Sequence, residues 1–291
     1  MLLVTGALGN VGAEVVMALQ RRGVAVRAAD VNAAAIQQRF GPTVEAVPFD
    51  FAQPETFAPA FAGVERMFLM RPPAISDVKR FIFPAIDAAQ RAGVQQVVFL
   101  SLIGVEKNHI VPHYKVEQHI LSVGMPYTFL RPSFFMQNLS TTHRAEIRDR
   151  NEIFVPAGRG ATSFIDVRDI AAVGALAMAE NGHANQAYAL TGSEALTYSQ
   201  VATQLSEVLG RTITYRKPGL LRFLLRQRAQ GTPLAFTLVM AGIYTTARLG
   251  LAGGVTAEVQ RLLGRPPITF RQFAKDFQAS WQPTTRSALA V

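Results

Sequence analysis

The chain has 291 residues, 49% of them hydrophobic and 17% charged, with a net charge of +9 and no cysteine. Disulfides, thiolate metal sites and cysteine nucleophiles are therefore excluded, and the composition is that of a globular protein with an ample core, in one large domain or two small ones. The positive balance suits a dianionic ligand as well as nucleic acid, but the basic residues are dispersed apart from Arg216, Lys217, Arg222, Arg226 and Arg228; no nucleic-acid partner is expected.

The first thirty residues set the pattern. Leu2-Leu3-Val4 reads as a strand and leads into Gly6-Ala7-Leu8-Gly9-Asn10-Val11-Gly12. A helical pattern follows to about Gln20, then a second strand over Val24–Ala29 closed by Asp30. Strand, glycine turn, helix, strand and acid form the first half of a dinucleotide-binding fold. Gly6 allows a tight exit from the strand, Gly9 lets a diphosphate approach the backbone, and Gly12 lets the helix pack closely. Leu8, Asn10 and Val11 supply the remaining backbone of the turn. The first strand begins at once, without a basic n-region, so no secretory leader is expected. With the lack of cysteine this makes a cytoplasmic location the expectation.

Strand–helix alternation continues. Ala33–Arg39 is a short helix, Val44–Phe49 a strand ending at Asp50, Pro54–Phe61 a helix opened by its proline, and Arg66–Met70 a strand stopped by Arg71-Pro72-Pro73. Ser76–Ala92 has helical periodicity with Pro84 positioned to kink it. Gln96–Leu100 is an apolar strand, His113–Val123 a helix, and Pro126–Leu130 a strand. This is the α/β class, a Rossmann-like doubly wound parallel sheet. The rhythm then breaks. Ser133–Arg150 reads as helix, Glu152–Val155 as strand, Ser163–Asp169 leads into a helix ending near Glu180, Tyr188–Leu190 is a strand, Thr197–Leu209 a helix and Thr212–Tyr215 a strand. Leu220–Arg228 and Leu234–Ala247 are helices, the second apolar but too short to span a membrane. They suit a lid over a substrate pocket or a subunit contact, which leaves a homodimer open. Two short helices flank Gly264-Arg265-Pro266-Pro267, and the tail after Pro283 has no core pattern and is expected to fray. The expected division is residues 1–155 as the dinucleotide domain, with 164–182 returning to it, and 183–291 as a smaller α/β substrate domain.

Candidate site residues follow from the strand ends. Asp30 can accept hydrogen bonds from both ribose hydroxyls of NAD and would repel a 2′-phosphate. The arginine that usually follows this strand in an NADP site is replaced by Val31 and Asn32, Arg27 lies on the strand, and Arg39 is expected to be remote, so NAD is favoured over NADP. Asp50 can meet an adenine amino group, with Phe51 supporting the ring, or can serve as a helix cap. Met70, Arg71 and Pro72, then Ser101, then Pro132 and Phe134 fall at the carboxyl edge where ligands bind in open α/β sheets. Phe134, Phe135 and Met136 offer a flat apolar wall for a substrate. In His113-Tyr114-Lys115-Val116-Glu117, His113 and Glu117 share a helix face. His113 could relay a proton, with Ser101 the other catalytic candidate, and Lys115 could contact a ribose. Glu117 beside His113 also reads as local charge pairing. His109, His119, His143 and His183 form no metal-spaced set with acids, so no metal is expected.

Taken together these motifs resemble the NmrA-like group of atypical short-chain dehydrogenase/reductases, near the bacterial NAD(P)H quinone reductases and triphenylmethane-dye reductases. The resemblance rests on Val4-Thr5-Gly6-Ala7 with Gly9 and Gly12, on Val123–Pro132, on Phe164–Ala171, on Ala187–Gly192 and on Leu262–Pro267, and it covers about residues 1–281. It implies a Rossmann-like cofactor domain, a smaller substrate domain and a cleft between them. It also implies divided functions: some members reduce quinones or dyes by direct hydride transfer, and others bind the dinucleotide as redox-sensing regulators. Ordinary short-chain dehydrogenases carry Tyr-x-x-x-Lys, whereas here Tyr114 is followed four residues later by Gln118, and His113 and Glu117 stand in the pair's place. The leading expectation is therefore an NAD(P)H-dependent reductase of a quinone-like or other planar conjugated acceptor, working without a metal or a Tyr–Lys pair. The alternative is a non-catalytic dinucleotide-binding redox sensor that acts through a protein partner. An epimerase or dehydratase fits worst, since it needs the missing pair.

Overall fold

The computed structural model describes residues 1–282, so the tail after Pro283 lies outside the described residues. The strands of the first half are β1 (Leu2–Thr5), β2 (Val26–Asp30), β3 (Glu45–Pro48), β4 (Arg66–Met70), β5 (Gln96–Leu100) and β6 (Tyr127–Pro132). Those that follow are β7 (Glu152–Ile153), β8 (Ala161–Thr162), β9 (Gln186–Leu190), β10 (Leu196–Thr197) and β11 (Thr214–Tyr215). The helices are α1 (Asn10–Arg21), α2 (Ala33–Phe40), α3 (Phe57–Phe61), α4 (Val78–Phe81), α5 (Phe83–Arg91), α6 (Pro112–Ser122) and α7 (Arg144–Arg150). After them come α8 (Val167–Ala179), α9 (Tyr198–Leu209), α10 (Leu220–Ala229), α11 (Leu234–Arg248), α12 (Glu258–Leu263) and α13 (Phe270–Asp276).

Two compact units share these elements. The first comprises Met1–Pro132, Val167–Leu190 and Glu258–Arg265. Its seven strands pair in the order β3-β2-β1-β4-β5-β6-β9, every pair parallel. Central strands β1 and β5 are buried along their whole length, as a sheet covered on both faces requires. On one face α1 packs on α8. On the other, α3, α5 and α6 close a core built around Phe49, Phe57, Phe61, Met67 and Phe99. The strand order reverses between β1 and β4, and this places the ends of those two strands at the topological switch point. Thr5 locks them together there: its hydroxyl donates to the Phe68 carbonyl at 3.0 Å and accepts the Met70 N–H at 3.1 Å.

The helix expected over 76–92 is two pieces, α4 and α5, which part at Ile82. Pro84 sits in the first turn of α5, where its missing N–H costs nothing.

The second unit comprises Ser133–Asp166, Thr191–Ala257 and the chain from Pro266. Its core is aromatic: Phe164, Tyr198, Phe223, Phe270, Phe273 and Trp281 are buried, and Trp281 Nε1 donates to the Leu139 carbonyl at 2.9 Å. Two short pairings frame it: β7 parallel to β11, both expected as strands, and β8 antiparallel to β10, neither of them expected. Thr197 and Gln200 form a reciprocal capping box at the start of α9.

The structure differs from the sequence reading over 133–150. Ser133–Phe135 is extended, not helical: Ile165 N–H donates to the Phe134 carbonyl and Met136 N–H to the Ile165 carbonyl, both at 2.9 Å. A short 3₁₀ turn (Met136–Leu139) follows, and the α-helix starts only at Arg144. The intervening Asn138, Ser140, Thr141 and Thr142 are residues whose side chains compete for backbone groups; Ser140 and Thr141 hydroxyls both donate to the Gln137 carbonyl. The unit boundaries also fall elsewhere than at 155 and 183. Residues 133–155 pack within the second unit, while Gln186–Leu190 supplies the sheet edge beside β6.

Candidate functional site

The glycine turn of the first unit has the geometry of an anion cradle. Gly6 takes φ +64°, and a Cβ on Gly12 would lie 2.1 Å from the Gly6 carbonyl oxygen, so only glycine lets α1 close on the turn. Gly9 is the N-cap of α1 and no side chain caps it. Gly9 N–H donates to the Gly6 carbonyl and Ala13 N–H to the Gly9 carbonyl. The backbone N–H groups of Asn10, Val11 and Gly12 have no carbonyl one turn back, the arrangement that binds a phosphate. The thioether of Met70 lies over this turn, with Cε against Gly6 and Gly9.

Asp30 braces the turn from the side. Its carboxylate accepts Leu8 N–H at 3.0 Å and Val31 N–H at 2.8 Å. Arg39 is not remote, contrary to the sequence reading: its exposed guanidinium donates to the Leu8 carbonyl at 3.1 Å. Arg39 sits in the last turn of α2, and its long side chain reaches back to the glycine loop. Arg27 is spent elsewhere, on the carbonyls of Ala60 and Ala62 and on Glu45.

The carboxyl edge of the sheet gathers three of the expected residues. Arg71 follows β4, Ser101 follows β5, and His113 sits in the first turn of α6. Arg71 Nη1 folds onto the Pro72 and Ile75 carbonyls, at 2.9 and 2.6 Å. Arg71 Nε, Ser101 Oγ and His113 Nδ1 are all buried, and none has a hydrogen-bond partner in the protein. Buried polar atoms are rarely left so, and three along one edge mark a place for a polar ligand. Burial, and then the charge of Arg71, pushes the His113 pKa down to about 3. At neutral pH His113 is an uncharged hydrogen-bonding group, not an imidazolium acid. Burial likewise lowers the Arg71 pKa.

Other expected residues are occupied elsewhere. Phe51 packs edge-on against Phe49 at 4.9 Å between ring centroids and is 7% exposed, so it offers no face to an adenine. Asp50 caps its own turn by accepting Ala52 N–H at 2.8 Å. Glu117 does not pair with His113; it is buried and holds Arg131 in a two-pronged pair, with Nε at 3.1 Å and Nη2 at 2.7 Å. Lys115 is exposed, and two residues on from His113 it lies roughly 200° round the helix. Tyr114 stacks on His109 at 4.3 Å. Pro132 is buried at the end of β6.

The second unit has a pocket of about 170 Å³ walled by aromatic and apolar side chains, among them Phe134, Phe135, Phe164 and Met240. Met136, expected beside them, is buried in the core instead. One side of the pocket is a polar chain that sequence reasoning missed. Glu146 lies 3.4 Å from His143 Nδ1, His143 Nε2 hydrogen-bonds the Tyr244 hydroxyl, and Tyr244 meets Tyr198. Burial, and after it the charge of Glu146, holds the Tyr244 hydroxyl well above its ordinary pKa, so it stays protonated. Glu146, Tyr198 and Tyr244 come from α7, α9 and α11, with His143 just before α7, far apart in sequence and not marked by any local motif. Among the described residues no three His, Asp or Glu side chains gather closely enough to hold a metal ion.

A model of the NmrA-like family matches residues 1–224. The chain belongs to that family. The NAD(P)H azoreductase of Xenophilus azovorans is 34% identical over 285 residues, which cover 97% of this chain and 99% of that one. The crystal structure of Citrobacter sp. triphenylmethane reductase complexed with NADP(H) matches with a TM-score of 0.83 at 25% identity, over 95% of this chain and 99% of the other. An NADPH-dependent quinone oxidoreductase from Escherichia coli, complexed with NADPH, gives a TM-score of 0.87 at 23% identity over 96% and 100% of the two chains, a likeness of fold. The seven-stranded parallel sheet is thus the Rossmann-like fold of these reductases, and the family resemblance read from the motifs is borne out.

Proposed function

We propose that this protein is an NAD(P)H-dependent reductase of a flat, conjugated, electron-poor acceptor of the quinone, azo or dye class. The observation that carries this reading is the uncapped N-terminus of α1, pressed onto a turn where Gly12 has no room for a Cβ. The Xenophilus azovorans and Citrobacter sp. relatives are reductases by name, with NADP(H) bound in the triphenylmethane reductase. When bound, the reduced nicotinamide would supply a hydride, which with one proton completes a two-electron reduction of a quinone or azo acceptor and by itself reduces a cationic dye.

Within this reading the chain's own residues divide the work. The N–H groups of Asn10, Val11 and Gly12 hold the diphosphate. Asp30 keeps lone pairs for a ribose hydroxyl, which favours NADH, while Arg39 gives a 2′-phosphate a cation; we infer that both cofactors serve, at a ratio set by these two side chains. Ser101 and neutral His113 offer hydrogen bonds at the sheet edge. In the second unit Phe134 and Phe135 supply an apolar wall for the acceptor, and Tyr244, backed by His143 and Glu146, supplies the proton.

Stopped-flow mixing of the NADH- and NADPH-loaded protein with a panel of quinones, azo compounds and triphenylmethane dyes tests the proposal. Oxidation of the bound cofactor by at least one class is expected. No oxidation by any of them would leave the sensor reading, which the missing Tyr–Lys pair favours. That reading predicts unequal NAD and NADH affinities and a cofactor-dependent protein partner.

A further inference from the structure

The outward side of α11, in the second unit, lacks the polar surface that a solvent-facing helix carries, and α10 exposes Leu220, Leu221 and Leu225 among its arginines. Between Glu207 and Glu258 the sequence holds no acid but seven arginines and lysines. Eleven of the fourteen exposed large hydrophobic side chains among the described residues fall within 220–255. Helix α11 buries Thr237, Met240, Ala241, Tyr244 and Ala247 on one side. Its other side presents Leu238, Val239 and Ile243, at 54, 57 and 44% exposure. A surface helix ordinarily turns charged residues to that side, and an apolar face of this extent marks a binding surface.

Charge decides what covers it. Lys217, Arg222, Arg228 and Arg248 are exposed around the apolar side chains. Arg216, also exposed, and the more buried Arg226 are both paired with Glu152. A two-fold contact with a second copy would set this patch against itself and bring the four cations together without an acid to meet them. A surface of lipid phosphates satisfies both the cations and the leucines. Helix α11 has 15 residues, too few to cross a bilayer, so it would lie in the interface.

We propose that the α10–α11 face docks on an anionic lipid bilayer. The placement has a consequence for the pocket of this unit: Phe236, Val239 and Ile243 line it and also belong to the exposed face. Docking brings the rim of the pocket into the phase where flat lipophilic molecules concentrate. That last step rests on the reductase reading; the docking itself does not.

The test is sedimentation of the full chain with vesicles of phosphatidylglycerol and phosphatidylcholine, against vesicles of phosphatidylcholine alone. At least tenfold tighter binding to the anionic vesicles is expected, weakening as salt is raised. The pairs Leu221→Glu with Leu225→Glu and Arg222→Glu with Arg228→Glu should each lower that binding at least tenfold. All four side chains are exposed, so circular dichroism and Tm should match the parent, as should turnover of a water-soluble acceptor. Absence of binding to anionic vesicles overturns the proposal. So does a concentration-dependent dimer in ultracentrifugation that Leu221→Glu with Leu225→Glu dissolves. Vesicle binding is read without turnover, so its failure and failure of the reductase reading are separate results.

Discussion

The carboxylate of Asp30 accepts the backbone N–H of Leu8 at 3.0 Å across 22 residues of sequence. The acid expected to select the cofactor therefore also shapes the turn that receives it. Asp30→Ala should weaken NADH and NADPH both, NADH the more, with a loss of about 1–2 kcal/mol in stability from the two released N–H groups. Asp30→Asn keeps one acceptor and should fall between. Calorimetric titration with both nucleotides, alongside thermal unfolding, reads this. A variant that loses NADH alone and keeps its Tm would show that Asp30 only selects.

Its neighbour Arg39 is expected to share in the selection. Arg39 reaches the Leu8 carbonyl from the last turn of α2 with its guanidinium in solvent. Arg39→Ala should lower NADPH affinity roughly tenfold, about 1.4 kcal/mol, and leave NADH nearly unchanged. An unchanged NADPH:NADH ratio would remove Arg39 from the site.

His113 gives a prediction about pH. Its pKa is held at about 3, below the ordinary 6.5, first by burial and then by Arg71. Between those values the unfolded chain binds a proton that the folded chain refuses, so stability rises with pH through that window and is lost as pH falls. The slope from this group is at most about 1.4 kcal/mol per pH unit. His113→Gln should flatten the pH dependence of unfolding between pH 4 and 6.5, while the slope above pH 7 is unaffected, as denaturant titrations across pH would show. A midpoint near 6.5 for His113 in an NMR titration would contradict its burial.

Tyr244 joins the pocket wall to His143. Tyr244→Phe keeps the ring but leaves His143 Nε2 without its partner. A fall in kcat on the order of 10²-fold is expected with little change in acceptor KM, together with loss of the solvent isotope effect. Equal loss in kcat and KM, with the isotope effect retained, would make Tyr244 structural.

What the sequence could convey followed from what is local. The glycine turn, the acid of β2 and the strands Arg66–Met70 and Gln96–Leu100 stand where periodicity put them, because a buried parallel strand writes its burial directly into an apolar run. The edge residues Arg71 and Ser101 were legible by the same rule, since they follow strand ends. The failures share another cause. Phe51 and Met136 are apolar residues beside a site that the core takes instead. The partners of Glu117 and the proximity of Arg39 to Leu8 depend on where the chain returns, which no window of sequence contains. The Glu146–His143–Tyr244–Tyr198 chain joins three helices, and its members carry no spacing at all.

The sheet also has an order of synthesis. A ribosome would release the whole glycine turn first, yet α8, the helix that clasps α1, and β9, the strand that closes the edge beside β6, come only after the first segment of the second unit has been made. A nascent chain ending at Pro132 therefore owns every backbone group of the cradle and the contacts of α1 with β1 and β2, but not α8, against which α1 packs most extensively. The newborn chain should take up nucleotide late, when residues 167–190 have arrived, and truncation before them should yield a fragment that a protease degrades whether or not NADH is present.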